Sequence, residues 1–264
     1  MGAPAISALA IDPAWVMGAI LAVTRVAAFV VLFPLLGRTM PPTARLAFAF
    51  GVGLALARPV PVLVEVGDLV TAAAVNLAVG AAMGWLVGLV LHIFATAGGI
   101  LDLISGLMVS QVFDPLMGQA GGVWTRMFNL VGMTLFVVIG GLGLVVTALF
   151  ASIEVIPLTA TLAPVGGLGE FAIAQVSRVV RAGVELALPI MGVMLMLELA
   201  LGLAARFAPQ ANVFLLGLPA KLLTAITVVG SAWVLFPELM DQIRSGFAQD
   251  VQVVLRGLTA GAGG

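Results

Sequence analysis

Residues Glu198–Lys221 read ELALGLAARFAPQANVFLLGLPAK, two strongly apolar runs joined by a short polar break. Arg206, Pro209, Gln210 and Asn212 all fall within seven residues of that break. Pro209 lacks a backbone donor and disfavours helix just before it, so the first run is expected to stop near Phe207 or Ala208. Asn212 is suited to cap the helix that follows, its side chain accepting a backbone N–H. The stretch therefore reads as a helical hairpin with a tight polar tip. Lys221, the only lysine in the chain, lies inside the second run two residues after Pro219. A cation placed there needs a partner.

Outward from the hairpin the composition has the same character. Of 264 residues, 62% are hydrophobic and 9% charged, against roughly 25% charged in a soluble globular domain. Mean hydropathy is +1.24, and several apolar runs reach the ~20 residues that a transmembrane helix requires. Such long continuous runs do not suit barrel strands. The class is all-α: a polytopic helical membrane protein with about six apolar runs in kinked hairpins. A net charge of −1 with no basic cluster argues against nucleic acid as a partner. The absence of cysteine removes disulfides and thiolate chemistry, and the single histidine, His92, excludes a multi-histidine metal centre. No cofactor is expected. The opening MGAPAISALAIDPAW lacks the basic region of a cleaved signal, so the first helix is expected to remain in the mature protein. Nothing marks a second domain, and residues 1–264 read as one membrane unit.

The first run, about Trp15 to Leu36, has Asp12 as a candidate cap and Pro13 at the first helical position. Arg25 sits near its middle, where insertion scales put the cost of arginine at ~2.5–3.5 kcal/mol. It should therefore face protein or water, either salt-bridged in a bundle or serving transport directly. Gly37 to Pro42 reads as a turn flanked by Arg38 and Arg45, and Ala44 to Leu56 as a short run. The third run, Leu69 to Ala97, carries Gly80, Gly84 and Gly88 at four-residue spacing, a stripe that lets another helix approach closely. The fourth, Val123 to Ala151, opens with Trp124 and Arg126 and is loosened at Gly140–Gly141. Phe171 to Phe207 is too long for one crossing and is expected to break or kink near Pro189, with Arg178, Arg181 and Glu185 on one face. Glu198 lies on nearly the same face as Arg206 and could neutralise it. Arg25, Arg126 and Glu185 are expected as buried charges. The sixth run is Val213 to Phe236, followed by an amphipathic tail over residues 237–264. Cationic residues divide evenly between the two sides, so charge bias gives no orientation.

Gly98 to Gly122, GGILDLISGLMVSQVFDPLMGQAGG, is the second informative stretch. Paired glycines bracket it, Asp114–Pro115 interrupts it, and Asp102, Ser105, Ser110, Gln111 and Gln119 make it polar. Irregular backbone at membrane depth is tolerated only inside protein or along a water-filled cavity. Two readings stay open: a surface loop on the membrane, or a re-entrant, plug-like loop whose glycines hinge and whose methionines seal by soft packing.

Arg206-Phe-Ala-Pro209-Gln210-Ala-Asn212-Val-Phe214, followed by Gly217, Pro219 and Lys221, resembles the signature hairpin of the FliR family of flagellar biosynthesis proteins and their type III secretion counterparts. Glu198 before the motif, Arg25 with Phe33–Pro34, and the Pro41-Pro42-x-x-Arg45 turn fit the same resemblance, which runs in order along nearly the whole chain. It implies a single-copy, non-enzymatic subunit of the type III export gate in the bacterial inner membrane at the flagellar basal body. The partners implied are P-type and Q-type subunits, the substrate-switch component and unfolded protein substrates. Part of the assembly would be displaced toward the periplasm. Residues 1–170 would be P-like and 171–236 a Q-like hairpin. The loop at 106–122, which includes Gly106, Leu107, Asp114 and Pro115, would plug the closed pore, with Met108, Phe113 and Met117 sealing and Gly118, Gly121 and Gly122 letting it swing aside. The Glu198–Lys221 hairpin would either satisfy its charges internally or meet the substrate switch.

Two rival readings differ in the chemistry they need. A secondary transporter would use Arg25, Glu185, Glu198 and Lys221 as an ion or proton relay, but no paired inverted repeats stand out. An intramembrane enzyme would need a nucleophile with a positioned base, and the serines and His92 show no such spacing.

Overall fold

The computed structural model describes residues 12–106, 121–160, 168–207 and 213–232. Every regular element among them is a helix: α1 (Pro13–Leu32), α2 (Pro34–Thr39), α3 (Pro42–Leu56), α4 (Val66–Ser105), α5 (Val123–Val138), α6 (Gly141–Val155), α7 (Leu168–Phe207) and α8 (Val213–Ala232). Three of these, α1, α4 and α7, are long and apolar enough to cross a membrane, or four spans if the broken pair α5–α6 counts as one. The six expected runs are thus present as helices, while fewer reach spanning length on their own. This is an all-α helical membrane architecture.

Local chemistry sets most boundaries. Asp12 accepts a hydrogen bond from the Ala14 amide at 2.9 Å, and Pro13 takes the first helical position. α1 stops at Leu32 rather than Leu36, because Pro34 forces Phe33 into an extended conformation. Pro34 itself opens α2, so helix extends into the expected turn as far as Thr39. α3 has 15 residues, about 22 Å at 1.5 Å per residue, short of the ~30 Å hydrocarbon thickness. Gly140, at φ 79°, separates α5 from α6. One expectation fails: α4 does not end at Ala97 but continues through Gly98–Gly99 to Ser105. Of the break or kink expected near Pro189, the break is absent: α7 is helical for 40 residues through Pro189, with Ala187 and Ile190 buried on either side.

The described residues fall into two compact units, one taking in residues 12–88 with 141–160 and 168, the other residues 89–106, 121–140, 169–207 and 213–232. In the first, the glycine stripe does what its spacing suggests. A Cβ on Gly80 would lie 1.9 Å from the Arg25 carbonyl oxygen, one on Gly84 2.5 Å from that of Phe29, and one on Gly88 3.3 Å from Pro34 Cδ. α4 therefore meets the α1 backbone at Gly80 and Gly84, one turn apart, and the proline ring that opens α2 at Gly88. Leu21, Ala22, Val26, Phe29 and Phe33 are fully buried there, and the rings of Phe29 and Phe33 lie 5.3 Å apart. The segment after α3 returns along α1, with the Val60 amide donating to Ala14 O at 3.1 Å. The Arg58–Glu154 pair at 3.4 Å is exposed on both sides and adds little, typically ~0–1 kcal/mol.

The second unit has its own core. Ile93, Phe94, Ala97 and Leu101 of α4 pack with Trp124 and Phe128 of α5, with Val179, Ala187, Ile190 and Met194 of α7, and with Ala225 and Val229 of α8. Close approach again depends on small residues. A Cβ on Gly132 would strike the Phe94 ring at 2.7 Å, and one on Gly183 the Thr96 side chain at 2.7 Å.

Candidate functional site

Three polar nodes stand out against this apolar background, and each joins different helices. The first is Arg25, whose side chain is fully buried. Its Nε donates to Asn76 Oδ1 at 2.9 Å, Nη1 to Ser152 Oγ at 3.0 Å and Nη2 to Ile156 O at 2.8 Å. Asn76 is oriented by its own amide, which donates to Ala72 O and Leu158 O, both at 2.7 Å. Ser152 in turn donates to Leu149 O at 2.7 Å. All three acceptors for Arg25 are neutral, so the salt-bridged form of the expectation is not what the helices build. Compensation comes from placement: Ser152 and Ile156 lie at the C-terminal end of α6, where the helix dipole is negative. The node ties α1, α4 and the end of α6 together.

The second node is Asp102, also buried. Oδ1 accepts from the Trp124 amide at 2.9 Å, and Oδ2 accepts from the Thr125 amide at 2.9 Å and the Thr125 hydroxyl at 2.6 Å. α5 begins after Gly122, which has no side chain to cap it. Asp102 supplies that cap from α4, satisfying two of the four amides a helix start leaves open. Gly122 fits because it lacks a Cβ, which would stand 2.3 Å from the Asp102 carboxyl carbon. Gly98 admits the same approach from the other side, its Cβ position being 2.6 Å from Thr125 Cα. The indole Nε1 of Trp124 is buried without a hydrogen-bond partner, so the carboxylate carries the polar tie.

These bonds lie at the two roots of the plug-like stretch. Gly106 closes α4 in the left-handed region at φ 76°, and Gly121 precedes α5 at φ 105°; both conformations favour glycine. Gly122, taken from sequence as a hinge, is instead a close-packing residue against Asp102. Leu107, Met108, Phe113, Asp114, Pro115, Met117 and Gly118 lie outside the described residues.

The third node is Lys221, whose Nζ lies 2.6 Å from Glu198 Oε1 and so links α7 to α8. The expected neutralisation of Arg206 by Glu198 is not found. Eight residues along a helix is ~12 Å, whereas the neighbouring helix brings Lys221 directly alongside. Arg206 is exposed in the last turn of α7, where the dipole favours a cation. Gly217 is buried against Leu201 of α7, while Pro219 is exposed. Pro209, Gln210, Asn212 and the Phe214 side chain lie outside what is described, although Phe214 belongs to α8.

Two charges expected to be buried are not. Arg126 and Glu185 are both exposed: Arg126 projects from the first turn of α5, and Glu185 lies on the outer face of α7. Arg181 is exposed on the same helix. Asn76, Ser152 and Thr125 were not singled out from sequence. In the sequence Asp102 reads only as one polar residue in a broken stretch, although a glycine-led helix start at Val123 leaves amides in need of an acceptor.

The sequence profile of the bacterial export proteins, family 1, matches residues 16–247. Among similar curated proteins, the flagellar biosynthetic protein FliR of Aquifex aeolicus is 30% identical over 78% of this chain and 81% of its own length. The FliR of Pectobacterium carotovorum is 29% identical over 63% of the chain and 64% of its own length. The surface presentation of antigens protein SpaR of Shigella flexneri is 30% identical over 57% of the chain and 58% of its own length. With the profile spanning most of its length, the chain belongs to the bacterial export proteins, family 1.

Proposed function

We propose that this chain is a non-enzymatic, single-copy subunit of a type III protein export gate of the flagellar kind, seated in the bacterial inner membrane. It would assemble with P-type and Q-type subunits into a gated pore for unfolded export substrates and nucleate basal-body assembly, with part of the complex displaced toward the periplasm. In this reading residues 1–170 form the P-like part, 171–236 the Q-like hairpin and 106–122 the plug, while the hairpin tip meets the substrate-switch component.

The observation that carries the proposal is the state of α7. At 40 residues it is about 60 Å long, twice the hydrocarbon thickness, and far less of its apolar surface than that of α4 is covered within the chain. Ile173, Val180, Leu188, Leu195 and Leu203 are exposed together with Arg181 and Glu185. Neither water nor lipid suits such a mixed face, whereas the surface of another helical subunit suits both parts. The family membership and the names its relatives carry agree with an export apparatus.

The transporter reading gains nothing from the nodes. Arg25 is held by groups that carry no titratable proton near neutrality, Glu185 is exposed, and Glu198 and Lys221 are bonded to each other. Co-expression with the P- and Q-type companions, followed by detergent purification and native mass spectrometry, tests the proposal. One copy of this chain in a stable hetero-oligomer is the expected result. A chain that purifies alone as a monomer or homodimer and leaves the companions behind, or that conducts ions alone, refutes it.

A further inference from the structure

We infer that the second half of α7 and the whole of α8 form a hairpin that crosses the lipid bilayer, while the first half of α7 stands outside the hydrocarbon. The hairpin would do so in the chain alone, before any companion subunit covers it, whatever those companions are.

Charge is distributed unevenly along α7. Glu170, Arg178, Arg181 and Glu185 all fall in its first half, and between Glu185 and Arg206 only Glu198 is charged. From Glu185 to Arg206 the helix rises ~31 Å, which matches the ~30 Å hydrocarbon core. α8 has 20 residues, again ~30 Å, and Lys221 is its one charge. These two single charges meet, with Lys221 Nζ 2.6 Å from Glu198 Oε1. Glu198 stands two turns before Arg206, and Lys221 two turns after Val213, where α8 begins. The pair therefore lies ~12 Å from the hairpin's tip, near the middle of the bilayer. A lone charge is costly at that depth, and here each charge cancels the other.

Burial separates lipid from a docked protein. A helix packed on one neighbour covers an apolar stripe ~100° wide, whereas a helix apolar all round crosses a membrane or lies inside a core. In the second half of α7, Ala187, Ile190 and Met194 supply the covered stripe. Val193, Leu195 and Met196 are exposed and span a further ~160° of the circumference. On α8, Leu222, Leu223 and Ile226 are exposed as well. Acyl chains suit such a surface from every side. The first half differs: Arg178, Arg181 and Glu185 are exposed beside Ile173 and Val180, a mixture for a protein surface outside the hydrocarbon.

The chain has no cysteine, so a single introduced thiol reports its own surroundings. The full chain is produced in cells without export-gate companions and taken in membrane vesicles of both orientations. A membrane-impermeant maleimide is expected to label Ala205→Cys from one side, and Ser177→Cys and Ser231→Cys from the other. Leu195→Cys and Leu223→Cys, close to the ion pair, should react at least about tenfold more slowly, because a thiol in hydrocarbon stays protonated. A nitroxide attached at either position in detergent, before return to vesicles, distinguishes lipid from protein. Facing acyl chains it meets dissolved dioxygen and not a water-soluble nickel chelate; under protein it meets neither. Glu198→Lys sets two cations at mid-depth and is expected to lower one-sided labelling of Ala205→Cys at least about tenfold. Exchanging the pair, Glu198→Lys with Lys221→Glu, should restore it.

Labelling of positions 205 and 231 from the same side overturns the crossing. A nitroxide that meets the nickel chelate, or neither reagent, overturns the lipid contact, and this reading stands even if Glu198→Lys fails to accumulate. Ser177→Cys as unreactive as Leu195→Cys would put the first half of α7 inside the membrane after all. A Glu198→Lys chain labelled like the parent overturns the mid-depth placement of the pair. None of these outcomes touches the export-gate reading, because no companion is present; that reading fails only in the co-expression test.

Discussion

Gly80→Ala adds one methyl group to a helix, a change that in isolation favours the helix by ~0.8–1.0 kcal/mol. Here the added carbon would sit 1.9 Å from the Arg25 carbonyl oxygen and 2.9 Å from its carbonyl carbon. Both are backbone atoms and cannot rotate away. Reaching an ordinary contact of ~3.4 Å means opening the α1–α4 seam by ~1.5 Å, and a radial gap of even 0.5–1 Å forfeits a quarter to a half of the dispersion well of each facing pair. Leu21, Ala22, Val26 and Phe29 are fully buried in that seam, and the Arg25–Asn76 bond crosses it. A net destabilisation of ~3 kcal/mol or more follows, at the upper end of overpacking costs. For a chain of this size that corresponds to a fall in Tm of roughly 6–12 °C. The geometry also sets an order. Gly84→Ala, at 2.5 Å from Phe29 O, should cost less, and Gly88→Ala, at 3.3 Å from the Pro34 ring, less again. Gly51→Ala in α3 meets nothing within 4 Å and should gain the ~0.8–1.0 kcal/mol of helix propensity. Thermal unfolding in detergent, followed by size-exclusion chromatography of a fluorescent fusion, reads all four. A Gly80→Ala protein as stable as the parent, or a series that does not follow the distances, refutes the backbone-to-backbone seam.

At the Arg25 node the asymmetry of buried polar groups predicts that removing the acceptor is worse than removing the charge. Asn76→Leu should cost ~3–5 kcal/mol because the guanidinium stays buried with a bond missing, while Arg25→Met should cost less because the cation leaves with its desolvation. Equal Tm losses for the two, or a reversed order, would refute this. Lys221→Ala leaves Glu198 without its partner, and it should lower assembly with companion subunits in pull-downs more than Leu223→Ala on the exposed face of α8. Equal yields would show that the pair is a solvated contact of little consequence.

Features that depend on one helix or on a fixed spacing were legible in the sequence. Asp12 and Pro13 start α1, Gly140 interrupts the fourth run, and Gly80, Gly84 and Gly88 mark a seam because four residues return to one face of a helix. What escaped were properties that depend on a second helix. The glycines at 98 and 99 look like a helix end until Thr125 is seen against them. Asp102 looks like a loop residue until the bare start of α5 is placed beside it, over twenty residues away. Arg126 and Glu185 were expected inside because a charge in an apolar run must leave lipid, but that argument does not say whether the cover comes from the same chain. Glu198 illustrates the point in reverse: same-face reasoning chose Arg206, and the adjacent helix supplied Lys221.

The Arg25 node also has a consequence in time. Its last acceptor, Ile156 O, lies 131 residues downstream, which at ~5–20 residues per second of synthesis is roughly 7–26 s of translation. During that interval α1 has emerged with a cation in its middle and neither Ser152 nor Ile156 to receive it. The apolar character of the rest of α1 has to hold the helix in place meanwhile, against a cost of ~2.5–3.5 kcal/mol for the arginine. Completion of α6 then acts as the event that locks the first helix, so a message cut short before codon 156 leaves a membrane protein whose buried guanidinium never gains its full set of acceptors.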